Sequence, residues 1–177
     1  LKYQPVFLSL GSNIGDRRAN LQSALKRIDE SPSMSVRHVS SLFETTPLYN
    51  PDQDNFYNMV AEVETDLQPT ELIKTLKQIE TDSGRNLSAK RYSPREIDID
   101  IVFFGNVILE SEKLTIPHRL LYERSFVLMP LSELNDRFVD PATGKDIRQL
   151  LSECPDRTSI QKIGTINIPK SEYLTEA

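Results

Sequence analysis

REIDIDIVFFG, residues 95–105, is the stretch from which both the fold and the chemistry of this chain can be read. Its isoleucines, valine and phenylalanines suit a buried strand, yet Asp98 and Asp100 stand in the middle of it, one residue apart. Side chains alternate along a strand, so both aspartates point to one face and Ile97, Ile99 and Ile101 to the other. Same-face Cα atoms lie roughly 7 Å apart, near enough for two carboxylates to share cations. Without a cation between them, their repulsion would raise a pKa. The segment reads as a strand that builds core with one face and a cation site with the other.

Immediately upstream, the loop RNLSAKRYSPR carries Arg85, Lys90, Arg91 and Arg95 and no acid, in a chain of formal net charge -5. Such a block taken alone is a solvated face. Leading straight into the aspartate pair, it puts cations for phosphate oxygens beside carboxylates suited to Mg²⁺, the two components of phosphoryl transfer. Arginine is shaped for bidentate phosphate contacts, whereas lysine acts as a point charge.

Further out, the hydrophobic periods give the architecture. PVFLSLGSN is a short strand, Val6 to Leu10, and Leu21, Ala24, Leu25 and Ile28 mark an amphipathic helix ending before Pro32. MSVRHVSSLFETT alternates as one long strand running to Pro47; PLYNPDQDN is a loop; FYNMVAEVET is another strand. PTELIKTLKQIETDSG is a second helix, with Pro69 in its first turn, a stripe of Leu72, Ile73, Leu76 and Ile79, and Gly84 at its end. The order β-α-β-β-α-β is the split βαβ, ferredoxin-like arrangement of an α+β protein: an antiparallel sheet with helices packed on its faces in α/β/α layers. Gly105-Asn106 predicts a tight hairpin turn into VILES. Pro130 is expected to interrupt the apolar segment after Pro117, and DIRQLLSE to form a short final helix. The domain is expected over residues 1–164, with 165–177 a partly disordered tail.

A chain of 177 residues is long enough for one domain with a core of its own. Its acidic balance argues against a general nucleic-acid surface. No segment approaches ~18 consecutive apolar residues and no signal-peptide core is present, so the expectation is a soluble, cytoplasmic protein without membrane association. The start at Leu1 reads as a processed terminus, a trimmed chain or an excised domain. Cys154 reads as an incidental thiol, and one cysteine with His38 and His118 shows no zinc spacing. His118, after Pro117, is a surface residue or a catalytic one; His38 is blander still. Glu80 either caps solvent-facing charge or faces a nucleotide. Phe56 and Phe126 pack the core by default, but two aromatics with the amide of Asn58 also suit a flat heterocycle. GSNIGD lacks the lysine of a phosphate loop and reads as a tight turn that packs the first helix.

Taken together, LSLGSNIGDRRANL, SSLFETTPL, FYNMVAEVET, IETDSGR, SPREIDIDIVFFG and IPHRLLYERSFVLMPL resemble, in collinear order over roughly residues 5–151, the 6-hydroxymethyl-7,8-dihydropterin pyrophosphokinases of folate biosynthesis. The resemblance implies a ferredoxin-like core and transfer of the β,γ-pyrophosphoryl group of ATP to the pterin's hydroxymethyl oxygen, with release of AMP. It implies that Asp98 and Asp100 bind two Mg²⁺ ions held with ATP. Arg91, Arg95, His118 and Arg124 would hold phosphates, and Arg85 would lie on a mobile catalytic loop. Arg85, Arg95, Asp98 and Asp100 would be the catalytic set. Glu80, Ile101 and Thr115 match adenosine-side positions; Thr45, Leu48, Phe56, Asn58, Tyr92 and Phe126 match the pterin pocket. The implied partners are ATP and 6-hydroxymethyl-7,8-dihydropterin, in a monomer or one domain of a fused folate-pathway protein. Tyr92 stands where the family usually has tryptophan, and Ser93 where it has glycine. Asn86, Leu87 and Ser88 replace further basic residues after Arg85, which shifts phosphate neutralisation toward Lys90 and Arg91.

Two other readings compete. A minimal nucleotidyltransferase also joins a Gly-Ser turn to a D-x-D pair, but on one strand-turn unit, whereas Ser12 and Asp98 are 86 positions apart here. An RNA-binding ferredoxin-like module needs exposed aromatics and a basic sheet face, where this sheet carries aspartates.

Overall fold

The computed structural model describes residues 4–84 and 88–168. Strand β1 (Val6–Ser12) lies inside the sheet with both faces covered: Val6, Leu8 and Leu10 enter one core and Phe7 the other. Helix α1 (Arg17–Asp29) buries the stripe of Leu21, Ala24, Leu25 and Ile28 that its spacing predicts, and Asp16 caps it by accepting from the Ala19 N–H. The chain then pairs back on strand β4 (Phe56–Thr65), is covered by helix α2 (Pro69–Asp82), and returns along strand β5 (Asp98–Phe104).

The expected long strand is two strands, β2 (Met34–Val39) and β3 (Leu42–Thr45), both paired antiparallel with β4. Ser40 causes the break. Its N–H donates to the Val60 carbonyl, while its own Oγ accepts the Val60 N–H, each at 2.9 Å, so a side chain replaces one rung of the ladder. With strand β8 (Ile160–Gly164) on the outer side of β3, the sheet runs β5-β1-β4-β3-β8, with β2 beside β4. Every pairing in it is antiparallel, and the fold is ferredoxin-like α+β.

Helices α1 and α2 close one face of the sheet over Leu8, Leu10, Met59, Ile99 and Ile101. Helices α3 (Ser125–Asn135) and α4 (Ile147–Glu153) close part of the other over Phe7, Val60, Val102 and Phe103, which gives three layers. Cys154 is buried in this second core.

Two further expectations are corrected. VILES does not return on β5: strand β6 (Leu109–Glu110) pairs with strand β7 (Thr115–Ile116) in a separate ribbon. Gly105 takes φ 51° there and donates its N–H to the Pro5 carbonyl, which turns the chain off the sheet. Pro130 does not interrupt the apolar segment; α3 runs through it. The missing N–H costs one rung, and buried Val127, Leu128 and Leu131 hold the helix against the sheet. DIRQLLSE forms the short final helix expected of it, α4, and strand β8 follows. Past the expected boundary at Gly164, Ile166 is buried in the first core and the Thr165 carbonyl accepts from Arg18 at 2.7 Å. Residues 169–177 lie outside the described residues.

Candidate active site

Where α3 and α4 leave the sheet uncovered, the strands floor a cavity of about 520 Å³. Its floor follows from register. Asp98, Gly11, Asn58 and Phe43 are successive partners across β5, β1, β4 and β3, and Asp100, Ser9 and Val60 form the next row. Directly paired residues share a face, so both aspartates point into the cavity while Ile99 and Ile101 point into the core, as the alternation predicted.

Cations stand beside both carboxylates. Arg95 meets Asp98 Oδ2 at 2.8 Å; Lys77 Nζ lies 3.7 Å from Asp100 Oδ1 and His118 Nε2 3.8 Å from Asp100 Oδ2. The His118 ring is oriented by its neighbours: Nδ1 accepts the Leu120 N–H at 3.1 Å, so a neutral ring carries its proton on Nε2, toward Asp100. Burial pulls the imidazole below its ordinary value despite the nearby carboxylates, which favours that neutral form.

Lys77 was missed in the sequence. It sits one residue off the apolar stripe of α2, on the far side of the sheet, and reads there as a solvated lysine. But β5 is the sheet edge, and the lysine stem passes round it to the cavity. Its ammonium donates to Glu80 Oε1 at 3.0 Å and to the Ile99 carbonyl at 3.2 Å. Burial alone would lower its pKa, but Asp100, Glu80 and Asp98 together raise it. Glu80 is fully buried and accepts the Ile99 N–H at 2.6 Å.

Asn13, inside the expected tight turn, was also missed. Its N–H donates to the Arg95 carbonyl at 3.1 Å and its Oδ1 accepts the Arg95 N–H at 2.9 Å. Its amide nitrogen reaches Gln53 Oε1 and the Asp54 carbonyl. One buried side chain thus ties Arg95 to the loop after Pro47. That loop is also joined to Tyr92: Tyr49 and Tyr92 stack at 4.5 Å and 23°, and Gln53 donates to the Tyr92 carbonyl at 3.2 Å. Tyr92 takes φ 62°. The Tyr49 hydroxyl donates to Glu123 and accepts from Arg124 Nε.

Thr45, Leu48, Phe56, Asn58, Arg91, Tyr92, Arg95, Asp98, Asp100, His118, Arg124 and Phe126 all line this one cavity. Leu48, Phe56, Phe126 and the buried Asn58, whose amide donates to Thr45 Oγ1 at 2.7 Å, share this lining with Arg91 and Arg124, whose guanidiniums stand over the rings of Tyr92 at 4.7 Å and Phe126 at 5.6 Å. Glu80 and Ile101 are instead buried beneath β5, Thr115 is half-buried on β7, and Arg85 lies outside the described residues. Lys90 and Arg119 line the cavity in addition.

Among the described residues no three His, Cys, Asp or Glu side chains gather into a metal cage. Two cavity-facing carboxylates are the donor set Mg²⁺ uses when waters and substrate phosphates complete its shell.

The chain matches the family model described as 7,8-dihydro-6-hydroxymethylpterin-pyrophosphokinase over residues 7–136. It is 38% identical over 158 residues to the folic acid synthesis protein FOL1 of Dictyostelium discoideum, covering 89% of this chain and 24% of that protein. It is 44% identical over 140 residues to the mitochondrial folate synthesis bifunctional protein of Pisum sativum, covering 79% and 27%. To the 2-amino-4-hydroxy-6-hydroxymethyldihydropteridine pyrophosphokinase of Bacillus subtilis it is 40% identical over 143 residues, covering 81% and 85%. The chain thus spans about a quarter of the length of the first two relatives and most of the bacterial one. The crystal structure of Plasmodium falciparum HPPK-DHPS with pteroate shares the fold, with a TM-score of 0.68 at 16% identity over 86% of this chain and 44% of that one.

Proposed function

The chain belongs to the 7,8-dihydro-6-hydroxymethylpterin-pyrophosphokinase family, and from that premise we propose that its cavity moves the β,γ-pyrophosphoryl group of ATP to the hydroxymethyl oxygen of 6-hydroxymethyl-7,8-dihydropterin, yielding the pterin diphosphate and AMP. The observation that carries this reading is a single cavity that joins aromatic rings and a buried amide to a set of cations, with Asp98 and Asp100 on its floor beside Gly11 and Ser9.

In this reading Phe56, Phe126 and Leu48 sandwich the pterin ring, and Asn58 and Thr45 bond its polar edge. Tyr92, held over the slot by Tyr49 and Gln53, closes it. Arg91, Arg95, Arg124 and His118 receive the phosphates; Arg85, outside the described residues, is assigned to the same phosphates by the family resemblance. Asp98 and Asp100 hold two Mg²⁺ ions, which when bound neutralise phosphate charge and polarise the reacting oxygens. Thr115, next to the His118 loop, marks the adenosine end; Glu80 and Ile101 bear on it only through the backbone of β5. We place the domain in a monomer or a fused folate-pathway chain, in the cytoplasm; no helix among the described residues is long and apolar enough to cross a membrane.

The distance in sequence between Ser12 and Asp98 does not separate this reading from nucleotidyl transfer, because Gly11 stands opposite Asp98 in the ladder. Product identity does. The protein is mixed with ATP, Mg²⁺ and 6-hydroxymethyl-7,8-dihydropterin, and the released nucleotide identified against a control without pterin. Pterin-dependent AMP is the expected result; ADP or free pyrophosphate would overturn the proposal.

A further inference from the structure

None of the roles above uses the side chains of Lys77 and Glu80 directly, although one lines the cavity and the other is fully buried. Their contacts converge on a single residue. As the outer strand of the sheet, β5 has β1 on one side only, and the peptide groups of Ile99 face its open side. Glu80 Oε1 accepts the Ile99 N–H at 2.6 Å, Lys77 Nζ donates to the Ile99 carbonyl at 3.2 Å, and the two side chains bond each other at 3.0 Å. Those are the bonds that a neighbouring strand would make. Ile99 lies between Asp98 and Asp100, so whatever fixes its two peptide groups fixes the spacing and tilt of both carboxylates. The same ammonium stands 3.7 Å from Asp100.

We propose that Lys77 and Glu80 are a positioning pair: a side-chain substitute for the absent strand that clamps Ile99 and thereby sets Asp98 and Asp100 for the cation they share. The inference rests on the metal role given to the aspartates above. A site built for a metal must hold its oxygens close to the productive geometry, and second-shell contacts supply that precision. Clamping the peptide between the two ligands does so for both at once. Neither residue touches substrate in this scheme.

The test is a protein in which both arms are removed without stranding a buried charge, Lys77→Met with Glu80→Leu. Three quantities are read: melting temperature, hydrogen exchange at the Ile99 amide, and the affinity of Mn²⁺ in the presence of a non-hydrolysable ATP analogue, followed by electron paramagnetic resonance. Expected are an Ile99 amide that exchanges at least about tenfold faster and Mn²⁺ bound about tenfold more weakly, a loss typical of second-shell changes, with pterin affinity unchanged. Lys77→Met with Glu80→Gln keeps an acceptor for the Ile99 N–H and loses only the carbonyl arm. It serves if the first variant does not fold, and an intermediate loss of Mn²⁺ affinity is expected. Mn²⁺ affinity within twofold of the parent in a folded variant with a fast-exchanging Ile99 would overturn the pair's role. Asp98→Ala is the control for the underlying reading: if it leaves Mn²⁺ binding intact, the metal assignment falls, and the positioning role with it.

Discussion

Replacing Gly11 by alanine probes the floor of the cavity at one atom. Gly11 is not in the left-handed region, so its backbone tolerates alanine. The added Cβ would lie 2.6 Å from Asn58 Oδ1, far inside contact distance, while its next neighbour, Phe56 Cδ1, is at 3.7 Å. The whole penalty therefore falls on the Asn58 amide. That amide is 4% exposed and bonded to Thr45 at 2.7 Å, so when it moves, no water replaces what it loses. Breaking a buried hydrogen bond of this kind costs about 1–3 kcal/mol, and overpacking alone falls in the same range, about 1–3 kcal/mol. The two are not additive here, because one displacement both relieves the clash and breaks the bond. That cost falls on the stability of the free protein; pterin affinity falls as well because the displaced Asn58 amide no longer meets the pterin edge, and a lost buried hydrogen bond of about 1–3 kcal/mol weakens binding about 5- to 150-fold. ATP affinity should stay within about twofold, since the close contact of the added Cβ is with Asn58 alone. Equilibrium titration with the pterin, alongside KM values for both substrates in the AMP-release assay, reads this directly. In an Asn58→Ala background the added methyl meets only Phe56 Cδ1 at ordinary contact distance, and the Gly11→Ala penalty should vanish. A penalty that persists in that background, or falls equally on ATP and pterin, would refute the reasoning.

Asp98→Ala and Asp100→Ala should each reduce pterin-dependent AMP release by at least about a hundredfold while the melting temperature holds, because they face the cavity and not the core; near-normal turnover at saturating Mg²⁺ would rule out their metal role. Asp156 accepts from the N–H and hydroxyl of both Ser125 and Thr158 and so caps α3 from thirty-one residues away. Burial alone would raise its carboxyl, but those hydrogen bonds hold it below its ordinary value. The stability it adds is present above the unfolded carboxylate pKa and lost as pH falls through the lowered folded one. Asp156→Ala should thus cost about 1 kcal/mol in urea unfolding at pH 7, with the gap to the parent closing toward pH 3; a gap that stays constant with pH counts against the cap. Tyr92→Trp gives the chain its single tryptophan, stacked on Tyr49 at the slot, so its emission should shift on adding pterin and much less on adding ATP alone. A larger response to ATP would place the slot elsewhere.

The ferredoxin-like order was legible because its decisive elements carry unambiguous periods: alternation in REIDIDIVFFG, and the stripes through Leu21 to Ile28 and Leu72 to Ile79. The break at Ser40 was not, since serine fits an extended strand and only the position of Val60 shows that its hydroxyl enters the ladder. Pro130 misled because the sequence shows the lost N–H but not the packing of Val127, Leu128 and Leu131 that offsets it. At the site, Asp98, Asp100, Arg95, Asn58 and Phe56 could be named because their residue types announce their chemistry. Lys77 and Asn13 could not. Lys77 matters only because β5 ends the sheet, and Asn13 only because its turn meets Arg95 across 82 positions of sequence. Both are facts of topology, and no local pattern encodes them.

The covering of Ile99 by Lys77 and Glu80 has a second consequence, in solution behaviour. An outer strand with bare peptide groups and apolar residues on its core face is a template for any extended chain, and nucleates pairing between copies. β5, with Ile99, Ile101, Val102 and Phe103, has the composition of such a template. On that edge the His118 N–H donates to the Val102 carbonyl at 3.0 Å, and a further strand across Ile99 would obstruct the route by which Lys77 reaches the cavity. Two helix side chains occupy the edge at its midpoint and place a charge there instead. The strand that carries Asp98 and Asp100 thereby keeps its cavity-facing side open while its edge is occupied at Ile99.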